Sequence, residues 1–124
     1  PLGEAFQLRD DILGVFGDPT VTGKPAGDDL REGKRTVLIA IATERADPSQ
    51  LRSIHELLGD AHLNLDGIDT LRAIIRDTGS LDFTENLIAD LLKQSLAALE
   101  HAPLDPAAVI SLTELAHNAV QRNL

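Results

Sequence analysis

Between Leu2 and Phe16 the sequence is apolar on almost every side, through Ala5, Phe6, Leu8, Ile12, Leu13, Val15 and Phe16, yet two adjacent carboxylates, Asp10 and Asp11, fall inside it. A helix that is apolar nearly all round is normally buried in a larger helical body. Neighbouring carboxylates in such a helix are costly to desolvate unless something neutralises them. At about 100° per residue, Gln7, Asp10, Asp11 and Gly14 share one side of the helix, while Arg9 points to the far side and is not the partner of both acids. Mg²⁺ is a suitable partner: it is a hard cation that takes oxygen ligands, keeps several waters and is typically held by one or two carboxylates plus phosphate groups. An isolated Asp-Asp pair is more often a surface feature or a cap. The apolar setting and the loop that follows shift the balance toward metal.

That loop runs from Gly17 to Arg35 and holds Gly17, Pro19, Gly23, Pro25, Gly27 and Gly33 among Asp, Lys and Thr, a turn-rich composition. Loops of this length inside a compact domain are usually functional or disordered. Glycines let backbone N–H groups approach an anion, and Lys24 and Lys34 supply point charges suited to phosphate oxygens. Thr36 is placed to cap the next helix, whose positive end also favours anions. The spacing is not that of a Walker A loop. Alone, the loop reads as a solvated turn; joined to the carboxylate face just upstream, it reads as a diphosphate–Mg²⁺ constellation.

The remaining chain predicts helices and no strands. A short helix spans Thr36 to about Glu44. Asp47, Pro48 and Gln50 form a capping box for the next, which ends near Leu58 with Gly59 as its stop. Another runs from about Gly67 to Asp77 and stops at Gly79. Asp82 with Glu85 reads as a second capping box, opening a long helix striped by Phe83, Leu87, Ile88, Leu91, Leu92 and Leu99. Asp105 and Pro106 open the last, with Val109, Ile110, Leu112, Leu115, Ala116 and Val120 as its apolar residues. The expected fold class is all-α, a helical bundle or part of one. A length of 124 residues admits one domain or part of one.

Charge and composition remove several classes. A net charge of −9 leaves no basic surplus to displace counterions, so nucleic acid is not an expected partner. With 2% aromatic residues and neither Trp nor Tyr, the stacking platforms of single-strand readers are also lacking. The chain has no cysteine, which excludes disulfides and thiolate metal sites and permits a cytoplasmic setting, the localisation expected here. No apolar run approaches the roughly 20 residues of a transmembrane segment. The start at Pro1, with a strong pattern almost at once, reads as a fragment or a processed chain.

Phe6-Gln7-Leu8-Arg9-Asp10-Asp11-Ile12-Leu13-Gly14-Val15-Phe16-Gly17-Asp18 resembles the second aspartate-rich motif of the trans-isoprenyl (polyprenyl) diphosphate synthases. Gly23-Lys24, Gly27-Asp28-Asp29-Leu30 and Gly33-Lys34-Arg35-Thr36 resemble the segment that follows that motif. The likeness is specific from Gly3 to about Ala42. It implies the C-terminal half of an isoprenoid-synthase-type fold, residues 1–124 lacking the N-terminal half and inactive alone. It also implies an Mg²⁺-dependent head-to-tail condensation of an allylic diphosphate with isopentenyl diphosphate, by a protein that is a homodimer at full length. By motif position, Asp10 ligates Mg²⁺, Asp11 binds the metal or its waters, Gln7 lies beside the reacting allyl group, and Lys24 and Lys34 contact the allylic diphosphate. Asp10, Asp11 and Lys24 are the expected catalytic residues.

Two departures stand out. The motif usually reads D-D-x-x-D, and its last position here is Gly14. The first aspartate-rich motif, near which product length is normally set, is not in this chain. Gly14 keeps a second reading open, a non-catalytic regulatory subunit of the same fold, and expects Gly14→Asp to raise activity if the site is degenerate. A class I terpene cyclase is a third; its second metal motif is not found around Asp10. His55, His62, His101 and His117 lack metal-ligand spacing and read as surface or helix-end residues. Arg72 and Arg76 read as partners of Asp69 or Asp77, and Arg122 as a basic residue near the active site.

Overall fold

The computed structural model describes residues 1–17, 27–101 and 105–120. Among them lie seven helices: α1 (Leu2–Phe16), α2 (Asp28–Glu32), α3 (Val37–Arg45), α4 (Pro48–Leu57), α5 (Leu65–Asp77), α6 (Ser80–Glu100) and α7 (Pro106–Val120). No strand occurs among the described residues. No helix there is long and apolar enough to cross a membrane.

Helix α6 is the spine. It packs against α1, α3, α5 and α7, and α1 in turn touches α2, α3 and α7. The core threads through Ile12 and Val15 of α1, Leu30 of α2, Leu38 of α3, Ile68, Leu71 and Ile75 of α5, and Ile88 of α6. A buried hydroxyl ties two of these elements together: Ser80 Oγ donates to the Leu38 carbonyl at 2.6 Å. Among the described residues no buried side-chain polar atom lacks a partner.

The predicted caps form where side-chain chemistry demands them. Thr36 Oγ1 accepts from Ile39 N at 3.3 Å, and the Asp47–Gln50 capping box closes in both directions at 2.7 and 3.0 Å. Gly79, at φ 77°, ends the α5 connection as expected. The same glycine overturns the second predicted box. Helix α6 begins at Ser80 with Gly79 as its N-cap, so Asp82 and Glu85 are already helical, and Glu85 takes Arg9.

Burial is uneven on two of the apolar helices. Helix α1 is not covered all round: Ala5, Leu8, Ile12 and Val15 are buried, while Leu2 and Phe6 are exposed. The α7 stripe is only partly core. Ala116 and Val120 are buried, whereas Ile110, Leu112 and Leu115 are exposed at 60%, 40% and 64%. On α6, Phe83 lies at the surface under the Arg45 guanidinium, 5.3 Å from the ring centroid.

Candidate active site at the α1–α2 corner

The carboxylate helix is fixed from three sides. Arg9, on the far face as its helical angle requires, is buried and makes a two-pronged bond to Glu85 of α6 at 2.8 and 2.7 Å. Its Nε also donates to the Val120 carbonyl at 2.6 Å, so one guanidinium joins α1, α6 and α7. At the C-terminal end, Arg72 Nε donates to the Val15 carbonyl at 2.7 Å. This satisfies an acceptor that the helix end leaves without an intrahelical partner. Arg72 and Arg76 both lie over the Phe16 ring, at 5.9 and 4.8 Å, and Arg72 keeps the expected contact with Asp69 at 3.8 Å.

The segment read as one long loop contains α2. It forms between two glycines in the left-handed region, Gly27 at φ 72° and Gly33 at φ 71°. A side chain at Gly27 would also press into Ile68, with contacts at 2.8 Å. Five residues are too few to show helical periodicity. Leu30 is buried, and its carbonyl accepts from Gly59 N at 2.8 Å, while Arg31 Nε reaches the Leu63 carbonyl at 3.0 Å.

This anchoring brings Lys34 back to α1. Its Nζ lies 3.2 Å from Asp11 Oδ1 and 3.7 Å from Asp29 Oδ2. Its backbone N–H donates to the Asp29 carbonyl at 3.0 Å. The hydrogen bond to Asp11 chiefly holds the Lys34 ammonium above its usual range; burial opposes this, and the charges of Asp29, Asp11 and Asp10 reinforce it. Gln7, read as a neighbour of the allyl group, is exposed and donates from Nε2 to Asp11 Oδ1 at 3.1 Å. Asp11 is buried and already receives two donors, whereas Asp10 sits at the half-buried rim of the same face. Lys24 and Arg122 lie outside the described residues.

Sequence reasoning missed the position of Asp29. It is buried, and its carboxylate occupies the space beside Gly14 that a side chain there would fill. A Cβ built at Gly14 would fall well inside contact with Asp29 Oδ2 and Cγ. The one available signal was a glycine at the motif position where an aspartate is usual, with spare aspartates in the next segment.

The donor set fits Mg²⁺ in kind: two carboxylates on one face, beside an ammonium able to meet phosphate. It is incomplete as a cage, since no group of three or more metal-ligating side chains converges among the described residues. Mg²⁺ is commonly held that way, with phosphates and water completing the shell.

Comparison with known proteins shows the family. Residues 1–75 match the polyprenyl synthetase family, and the chain belongs to it. It is 42% identical over 101 residues to the geranylfarnesyl diphosphate synthase of Aeropyrum pernix, an alignment covering 82% of this chain and 30% of that protein. Its fold matches a geranylgeranyl pyrophosphate synthase from Corynebacterium glutamicum, solved with isoprenyl diphosphate and magnesium. The TM-score is 0.93 at 42% identity, covering 98% of this chain and 35% of that one. A Caulobacter crescentus polyprenyl synthase, solved with calcium and isoprenyl diphosphate, matches at TM-score 0.85 and 36% identity, covering 99% and 37%. The chain thus spans about a third of the length of these relatives.

Proposed function

We propose that this chain is the C-terminal, second-motif part of a trans-isoprenyl diphosphate synthase. The observation that carries the reading is the corner where Asp10, Asp11 and the Lys34 ammonium meet on one face of α1. The bound isoprenyl diphosphate and divalent metals of the two structural relatives support it.

In this reading Asp10, at the rim, would hold Mg²⁺. Asp11, already bonded to Lys34 and Gln7, would bind the metal or its waters and keeps the ammonium in place. When bound, Mg²⁺ neutralises the charge that develops on the departing diphosphate. Lys34 and Lys24 share that charge from the protein side, and Lys34 enters the reaction fully protonated because its neighbours favour the charged form. The allylic C–O bond breaks, the isopentenyl double bond supplies electrons for the new C–C bond, and a proton leaves the adjacent carbon. Gln7, beside the reacting allyl group by its motif position, donates to Asp11 and orients it.

By the family resemblance the condensation also needs the first aspartate-rich motif, which these 124 residues do not contain, so the purified 124-residue chain is expected to be inactive. The same reading carries a homodimeric, cytoplasmic enzyme at full length, checked by sedimentation and cell fractionation. The non-catalytic alternative rested on Gly14, and the Asp29 carboxylate at that position argues against a simple loss. Incubating full-length protein with an allylic diphosphate, isopentenyl diphosphate and Mg²⁺ tests the reading: a chain-extended product supports it, and its absence favours the non-catalytic form.

A further inference from the structure

The motif spacing would place a third carboxylate at position 14, on the face of Asp10 and Asp11. The structure has a carboxylate there, delivered by another element. Asp29 comes from α2, is 8% exposed, and reaches into the space left by Gly14. The positive-φ glycines at both ends of α2, and the bond from Gly59 N to the Leu30 carbonyl, anchor that helix beyond its contact with α1. Asp29 then holds Lys34 twice, through the backbone bond at 3.0 Å and the side-chain contact at 3.7 Å, while Asp11 takes the same ammonium at 3.2 Å.

We propose that Gly14 and Asp29 form one keyed pair: the missing side chain at position 14 admits the Asp29 carboxylate, which with Asp11 holds the Lys34 ammonium toward the diphosphate. Asp29 is therefore a positioning residue acting through Lys34, and Gly14 is a requirement of the site, not a defect in it. This rests on the diphosphate-binding reading above. Its consequence runs against the motif: restoring the aspartate spacing with Gly14→Asp damages the site, because the new side chain and Asp29 compete for one space. Two ionised carboxylates in that space also repel each other at low dielectric.

The test uses the full-length protein as wild type, Gly14→Asp, Asp29→Ala and the double variant, plus Asp29→Ala in a Lys34→Gln background. Thermal midpoints are measured without ligand, and dissociation constants for a bisphosphonate are measured with Mg²⁺. Gly14→Asp is expected to lower the midpoint and weaken binding by about tenfold or more, as loss of a supporting partner around a metal site does. The double variant returns a carboxylate to the same space and is expected to recover binding to within about threefold of wild type, the non-additivity that contacting residues show. Asp29→Ala is expected to weaken binding alone and to add nothing once Lys34 is gone, which a purely structural role would not produce. Should Gly14→Asp fail to fold, Gly14→Ala and the Lys34 cycle carry the same decision. Additive effects of positions 14 and 29, or Gly14→Asp binding as well as wild type with an unchanged midpoint, would overturn the pair. Wild-type protein with no metal-dependent binding would sink the diphosphate reading and the positioning role together, while the ligand-free midpoints would still decide whether 14 and 29 exclude each other.

Discussion

The α1–α2 corner and the outer side of α7 are built from similar material and end up differently. Both present helices rich in Leu, Ile, Val and Ala. At the corner, three cations have partners that fix their direction: Arg9 with Glu85, Arg72 with the Val15 carbonyl, Lys34 with Asp11 and Asp29. On α7, Ile110 and Leu115 are exposed at 60% and 64%. Apolar periodicity says that a face prefers burial. Partnered polar groups say against what, because their geometry admits few solutions.

The largest expected effect falls on the corner's apolar backing. Ile12 is fully buried, and Ile12→Ala should destabilise the 124-residue chain by about 3 kcal/mol in denaturant unfolding, with a range of about 2 to 5. Arg9→Met should cost somewhat less, about 2 kcal/mol, since it strands Glu85 and the Val120 carbonyl but Glu85 is 36% exposed and water can reach it. Ser80→Ala, which frees the buried Leu38 carbonyl, should cost about 1 to 2 kcal/mol. Leu115→Ala should change the stability of this chain by less than about 0.5 kcal/mol, as exposed positions do. If the same substitution costs about 2 kcal/mol or more at full length, another part of the protein covers that face, and the contrast between the two regions belongs to this chain alone.

Lys34 gives the comparison a pH dependence. Its folded pKa is raised, so its contribution to stability is complete below the unfolded lysine value and is lost only as pH climbs through the higher folded one. The stability difference between wild type and Lys34→Gln should therefore stay flat from about pH 6 to about pH 9 and shrink above about pH 10.5. No stability difference between the two proteins, or one that does not shrink above about pH 10.5, would place the ammonium outside this cluster.

Much of the corner was legible in advance because its chemistry is local. Asp10 and Asp11 share a face by helical geometry alone, and Arg9 opposes them for the same reason. Thr36 and the Asp47–Gln50 box cap helices because their side chains reach N–H groups three residues on. The misses share a physical cause, a contact far along the chain. The Asp82–Glu85 spacing fits a capping box anywhere, and only the distant Arg9, with Gly79 starting the helix early, shows that it is none. Helix α2 is too short to leave a periodic trace and exists because two glycines and the α5 surface bracket it. Asp29 beside Gly14 joins residues on different helices, and no spacing rule predicts which aspartate fills a gap left by another. The outward face of α7 was not legible because periodicity does not say whether a partner is present.

The central claim is that the α1 face holds metal and diphosphate together. Calorimetric titration of Mg²⁺ and a bisphosphonate into the full-length protein, wild type against Asp10→Ala, tests it most directly. Binding is expected to require Mg²⁺ in the wild type and to be weakened by about a hundredfold in the variant, with the fold intact by circular dichroism. Binding that ignores Mg²⁺, or that survives Asp10→Ala unchanged, would contradict it.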